Sequence, residues 1–178
     1  MTVKVFFLPL WLYGTLQLLF AVHICTVKDM GKMGTLKEFT QVGFNRLNNA
    51  TKDLTEEQLD WKSCSEANTI RNLLGHLIGE WYGFIPKILA GDKDLEVEGY
   101  SGTEGKSLEQ IMTDLAEGQK HLLAELDKVK DEDLANEMDW FMGKQPVSSY
   151  LMLCISEIIH HEGQIAAIRG VENRIKGV

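Results

Sequence analysis

Residues 146–170 read PVSSYLMLCISEIIHHEGQIAAIRG, and the spacing within this stretch decides the fold class. Cys154, Glu157, His161, Gln164 and Ile168 recur at steps of three and four, so they share one helical face, with Leu151 and Ile158 at its edge. The segment is apolar for most of its length, so that face points into a core. Pro146 suits the first turn, where its missing N–H leaves no helical bond unmade, and Gly170 is the expected stop after Arg169.

Working outward, the same period recurs three more times. Leu36, Phe39, Val42, Phe44 and Leu47 give a stripe over 35–51, with Gly43 a mild defect. TEEQ at 55–58 is a capping box opening a short turn that ends near Trp61. SEANTIRNLLGHLIGEWYGFIPKILAG, residues 65–91, predicts a long helix capped at Asn68 or Thr69 and closed at Gly91, with Pro86 kinking it or ending it early. The polar, glycine-rich run 91–106 reads as a loop. Ser107, three residues before Gln110, caps a further helix that offers Leu108, Ile111, Leu115, Leu122 and Leu126 for burial. An acidic connector, KDEDLANEMDWFMGKQP, leads back to the opening stretch. No period-two run bounded by a hairpin turn is visible. Four amphipathic helices joined by loops of these lengths predict an all-α, four-helix bundle.

The first residues stand apart. MTVKVFFLPLWLYGTLQLLFAVHICTVK has no formal charge between Lys4 and Lys28, long enough for a helix to span a bilayer. No small-x-small cleavage site follows, which argues against a signal peptide. Were residues 5–27 to insert, Lys28, Lys32 and Lys37 would place the rest of the chain on the cytoplasmic face. A helix packed on the bundle, or a start upstream of the true one at Met30 or Met33, explains the segment equally. The expected division is therefore a hydrophobic extension over 1–33, a bundle over 34–170 and a tail over 171–178.

Composition narrows the function classes. Lys plus Arg number 18 against 26 Asp plus Glu, a formal net charge of -8, and no basic run appears. Phosphate neutralisation needs clustered cations, so no nucleic-acid partner is expected. Cys25, Cys64 and Cys154 have neither CxxC spacing nor the density of a disulfide framework, which points to a reducing, cytoplasmic setting.

The chemistry lies in the polar residues of the stripes. Glu157 and His161, one turn apart on an inward face, offer an oxygen and a nitrogen at a separation fixed by the helix. His160, about 100 degrees around the helix by the 3.6-residue period, suits a role beside the site rather than on the same ion. A partner from another helix is His76, flanked by Leu73, Leu77 and Glu80 on one stripe, while Gly75 and Gly79 would admit a close backbone or a ligand. Two nitrogens and one carboxylate leave a position open for water or a thiolate, as in catalytic zinc, and suit iron or nickel as well. Read singly, His76 fits a hydrogen-bonded core histidine and Cys154 a small core residue. His121 and His23 have no constellation about them. HHEGQ is not HExxH, and no phosphate loop or GxSxG elbow occurs.

With these residues assembled, the chain resembles the DinB-like superfamily of metal-binding helical bundles over about residues 34–170. Trp61 followed by SEANTIRNLLGHLIGE, the connector 131–143, and the closing EIIHHEGQIAAIRG carry the likeness. The closing segment is usually written HxxxHxGQ. The resemblance implies that His76 and His161 are ligands of a divalent ion, commonly zinc or nickel, and that Glu157 stands where the usual pattern has a histidine. It further implies thiol-dependent transfer or isomerisation with low-molecular-weight thiols such as bacillithiol or mycothiol, acting on small molecules, and a homodimer. His160, Glu80 and Gln164 are then the expected catalytic and orienting groups. The competing expectation is a non-catalytic stress or interaction bundle, tethered to a membrane through the first residues.

Overall fold

The computed structural model describes residues 31–177. The apolar segment over residues 5–27, and every reading offered for it, lies outside the described residues. Among those described, no helix is long and apolar enough to cross a membrane.

The helices are α1 (Lys32–Thr51), the short α2 (Glu56–Asp60), α3 (Ile70–Ala90), α4 (Leu108–Leu126) and α5 (Val147–Lys176). Three begin on reciprocal capping boxes: Thr55 with Gln58, Thr69 with Asn72, and Ser107 with Gln110. Each box satisfies two backbone N–H groups that a helix start leaves unpaired. α3 runs four residues beyond Pro86 and closes on Gly91 in the left-handed region, so the proline does not end it early.

The four long helices pack as a bundle in which α1 neighbours α5 and α4, and α3 neighbours the same two. Cross-helix contacts give the directions. Gly43 lies against Ile158, Arg46 pairs with Glu162, and Arg169 donates to the carbonyls of Ala50 and Lys52, so α1 and α5 run parallel. Asn48 meets Gln119 and Lys37 meets Asp127, so α1 and α4 run antiparallel. His76 meets His161 while Glu80 and Glu157 line one cavity, so α3 and α5 are antiparallel. The loop 91–107 must therefore travel back along the bundle before α4 starts. Arg71 holds it there, donating to the carbonyls of Thr103 and Lys106 while its other face pairs with Asp60. Gly75 makes room for the loop: a Cβ there would sit 2.8 Å from Thr103 Oγ1.

Between α3, α4, α5 and α1 lies a continuous apolar core that includes Phe44, Leu47, Leu74, Ile78, Trp81, Ile85, Ile111, Leu122, Leu151, Ile155 and Ile158. Each fully buried aliphatic or aromatic side chain of this kind is worth roughly 1.5–3 kcal/mol. The structure departs from the sequence reading in several places. On α1 the buried face is Met33, Thr40, Gly43, Phe44 and Leu47, whereas Phe39 and Val42 are 46% and 52% exposed. Thr40 tolerates burial because its hydroxyl donates to the Leu36 carbonyl, and Gly43 is no defect because its missing side chain admits Ile158. The connector carries a two-stranded hairpin, β1 (Glu137–Trp140) paired antiparallel with β2 (Gly143–Pro146), where no strand was expected. Finally, α5 passes through Gly170 and ends at Lys176, with Gly177 as its left-handed cap. Glu172, fully buried, bonds Lys176 at 2.7 Å, and Lys176 also reaches Glu57, so residues beyond 170 are packed helix. α1 likewise starts at Lys32, inside the span assigned to the extension, and Met33 is part of the core.

Candidate metal centre

Antiparallel packing of α3 on α5 brings together the residues that the two stripes carried separately. One ligand atom from each of His76, Glu157 and His161 falls within 4.8 Å of the others. The two imidazole rings approach edge to face with centroids 4.9 Å apart. Hydrophobic neighbours on the same turns, Leu73, Leu77, Cys154 and Ile158, are buried and fix both helices around the group.

His161 is 8% exposed and its orientation is set from within α5. Its Nδ1 lies 2.7 Å from Gln164 Oε1. An amide oxygen only accepts, so Nδ1 carries the proton and Nε2 is left with a lone pair. That Nε2 is buried and makes no hydrogen bond, although Glu157 Oε2 stands 3.2 Å away. In the neutral ring a lone pair there faces a carboxylate oxygen, an arrangement that a cation between or beside them would resolve. His76 is about half exposed, and burial, then the neighbouring His161, hold its pKa below the ordinary imidazole value against the opposing pull of Glu157. It is therefore neutral at neutral pH, as a ligand must be. Two neutral nitrogens and a carboxylate, with one nitrogen already oriented by an amide, fit a divalent ion.

Three further residues singled out in the sequence adjoin the group. Glu80 lies one turn beyond His76, with Oε1 3.5 Å from His76 Nε2 and Oε2 buried without a partner. Burial, reinforced by the charge of Glu157, pushes its carboxyl up to about 7. Gln164 links the two adjacent histidines, its Nε2 donating to His160 Nε2 at 3.2 Å while its oxygen accepts from His161. His160 itself is exposed and stands outside the ligand group. Cys154, one turn before Glu157, is a buried thiol pushed up to about 12 by burial and by the nearby carboxylates, so it stays protonated.

Two cavities flank the group. One of about 260 Å³ is lined by Asn68, Asn72, Leu73, His76 and His161. The other, of about 330 Å³, is lined by Glu80, Phe84, Trp140, Phe141, Leu153, Cys154 and Glu157. Its aromatic wall was not legible in the sequence, because Trp140 and Phe141 come from the hairpin. A larger hollow of about 660 Å³ shares no residue with the ligand group; it lies between α3, α4 and the 91–107 loop, beside Tyr82, Tyr100 and His121. His121, unassigned in the sequence, stacks there on Tyr82 with ring centroids 4.3 Å apart.

Comparison with known proteins agrees with this fold. The sequence pattern of the family described as the DinB superfamily matches residues 39–165. Among solved structures, a DinB-like protein from Bacillus subtilis is 16% identical with a TM-score of 0.62, covering 78% of this chain and 92% of its own. A DinB-like protein from Bacillus cereus is 24% identical with a TM-score of 0.59, covering 83% and 94%. A conserved protein from Enterococcus faecalis is 16% identical with a TM-score of 0.61, covering 79% and 96%. At these identities the likeness is one of fold. No curated protein matches the sequence.

Proposed function

The chain belongs to the DinB superfamily, and from that premise we propose that it is a divalent-metal-dependent enzyme that transfers a low-molecular-weight thiol to a small electrophile. The observation that carries the reading is the convergence of His76, Glu157 and His161 ligand atoms within 4.8 Å at the junction of two cavities. Zinc or nickel is the ion the family resemblance favours, and a two-nitrogen, one-oxygen set also suits iron. When bound, such an ion lowers the pKa of a thiol and holds it as the thiolate.

The protein's own residues supply the remainder. Gln164 keeps His161 in the tautomer that presents Nε2. Glu80 adjoins the site and orients the bound substrate, while the thiol proton passes to solvent and solvent protonates the departing group as the new carbon–sulfur bond forms. His160 is tied to the site through Gln164 and faces solvent, where it can meet the polar end of a thiol cofactor. Among the described residues the thiol near the site is Cys154, which is buried and protonated, so the nucleophilic sulfur comes from the cofactor.

Elemental analysis of the purified protein and of His76→Ala, His161→Ala, Glu157→Ala and Glu157→His tests the site. One ion per chain is expected, lost in the two histidine variants and in Glu157→Ala, and retained in Glu157→His. Full occupancy in all four would remove the assignment. Metal-loaded protein that forms no conjugate from bacillithiol, mycothiol or glutathione with a haloarene or an epoxide would refute the reaction while leaving the site intact.

A further inference from the structure

The hairpin has a place in this site. β1 ends at Trp140 and its turn carries Phe141, and Tyr150 of α5 ties the two sides of that turn together. The Tyr150 hydroxyl accepts from the Trp140 N–H at 2.9 Å and donates to the Gly143 carbonyl at 2.6 Å. The result is an aromatic wall: Phe84 lies 5.0 Å from Trp140 and 6.2 Å from Phe141, centroid to centroid, and Trp140 lies 5.0 Å from Phe141.

This wall, with Leu153 and the Cys154 side chain, faces two carboxylates, Glu80 and Glu157, across the cavity of about 330 Å³. Among the described residues, no lysine, arginine or histidine lines it. Three constraints on a ligand follow. Ring faces attract cations and flat apolar groups. Two carboxylates repel an anion. Glu80 Oε2, buried and without a donor, favours a ligand that brings N–H groups to it, since a buried unpaired acceptor costs roughly 1–3 kcal/mol. The volume admits a molecule near the lower end of usual ligand sites, about 300 Å³.

We propose that this pocket binds a small organic amine, its ammonium group on Glu80 and its flat or aliphatic body against Phe84, Trp140 and Phe141. The proposal deepens the preceding reading, since Glu157 belongs to both the ligand group and the pocket wall: the amine-bearing molecule is the substrate that reaches the metal centre from the hairpin side. The hairpin tip is then the element that selects it.

Isothermal titration of phenethylamine, 2-phenylethanol and 3-phenylpropionate tests this on wild type, Glu80→Gln and Phe141→Ala, each metal-free and zinc-loaded. Phe141 is 52% exposed at the tip, so its truncation leaves the core untouched. The amine is expected to bind and the acid not to. Glu80→Gln should lower amine affinity by about tenfold or more, the scale of a lost charged hydrogen bond, and leave the alcohol within about twofold. Phe141→Ala should weaken amine and alcohol together. An acid that binds as well as the amine, an absence of amine binding, or a Glu80→Gln protein with unchanged amine affinity would overturn the proposal. The metal-free arm separates the two readings. Selective amine binding by a protein that takes up no metal sinks only the metal reading, and stoichiometric metal without amine selectivity sinks only this one.

Discussion

Replacing Glu80 by glutamine in metal-free protein should reverse a pH dependence that the wild type carries. The carboxyl has a value near 7 in the fold against an ordinary 4.5, chiefly through burial and secondarily through Glu157. Between those values the native protein holds a proton that the unfolded chain has lost. Stability therefore falls as pH rises from about 4.5, and above about 7 the loss is complete. At about 1.4 kcal/mol per pKa unit the loss is about 3 kcal/mol. Only 11% of the side chain is exposed, so solvent screening removes little of it. Glutamine keeps the shape and hydrogen-bonding oxygen without the charge. In urea titrations with a chelator present, Glu80→Gln should match the wild type near pH 4.5 and lead it by about 3 kcal/mol at pH 8, roughly 6–12 °C in Tm for a domain of this size. His76 acts in the other direction, because its lowered pKa lets stability rise with pH toward the ordinary 6.5, but it is common to both proteins and drops out of the difference. A gap between variant and wild type that stays constant from pH 5 to 8 would refute the account of Glu80.

Two other substitutions follow from the same contacts. Gln164→Leu removes the acceptor that holds the His161 tautomer, so metal affinity by competition with a chromophoric chelator should fall about 10- to 100-fold with the fold retained; Gln164→Glu, which keeps an accepting oxygen, should restore most of it. Truncation after Gly170 removes buried Glu172 and the Lys176 link to Glu57, and should lower the thermal midpoint by several degrees, on the scale of a few kcal/mol lost from a domain this size; an unchanged midpoint would mean the last turns of α5 contribute nothing.

What the sequence made legible was local. Capping boxes at Thr55 and Ser107 each stand within three residues of their partners, so those helix starts could be read directly, and the third start narrows to Asn68 or Thr69, of which the structure uses Thr69. His76 with Glu80, and Glu157 with His161, are one-turn neighbours, and the helical period alone placed each pair on one face. The hairpin is different in kind. Its strands have four residues each, Met138 is the one buried side chain between them, and the hydroxyl that ties the turn comes from Tyr150 on another element. No short-range pattern encodes such a contact. The end of α5 failed for a related reason: Gly170 looks like a stop, but Arg169 bonds the end of α1 and Glu172 is buried beyond it, so tertiary packing outweighs the roughly 1 kcal/mol that a helical glycine costs. On α1, apolar Phe39 and Val42 face outward while Thr40 faces in, because a threonine hydroxyl can bond the carbonyl one turn back and give up water.

Glu157 concentrates the remaining consequences. In the pattern that the closing segment resembles, its position holds histidine, which would give the ion three neutral ligands and leave Glu80 as the one carboxylate in the neighbouring pocket. Here the carboxylate does three things at once. It contributes an anionic oxygen to the ligand group, it faces the lone pair of His161 at 3.2 Å, and it adds its charge to the effects that push Glu80 up to about 7. An ion bound at the site would neutralise Glu157 and relieve Glu80 in the same step, so occupancy of the centre and the charge of the adjoining pocket are coupled through one side chain. With the ion in place the charge of Glu157 no longer opposes ionisation of Glu80, which is then the better partner for an ammonium group. A histidine at 157 would break that coupling. The glutamate is thus better understood as joining the metal centre to the hairpin pocket than as a weakened copy of a three-histidine site.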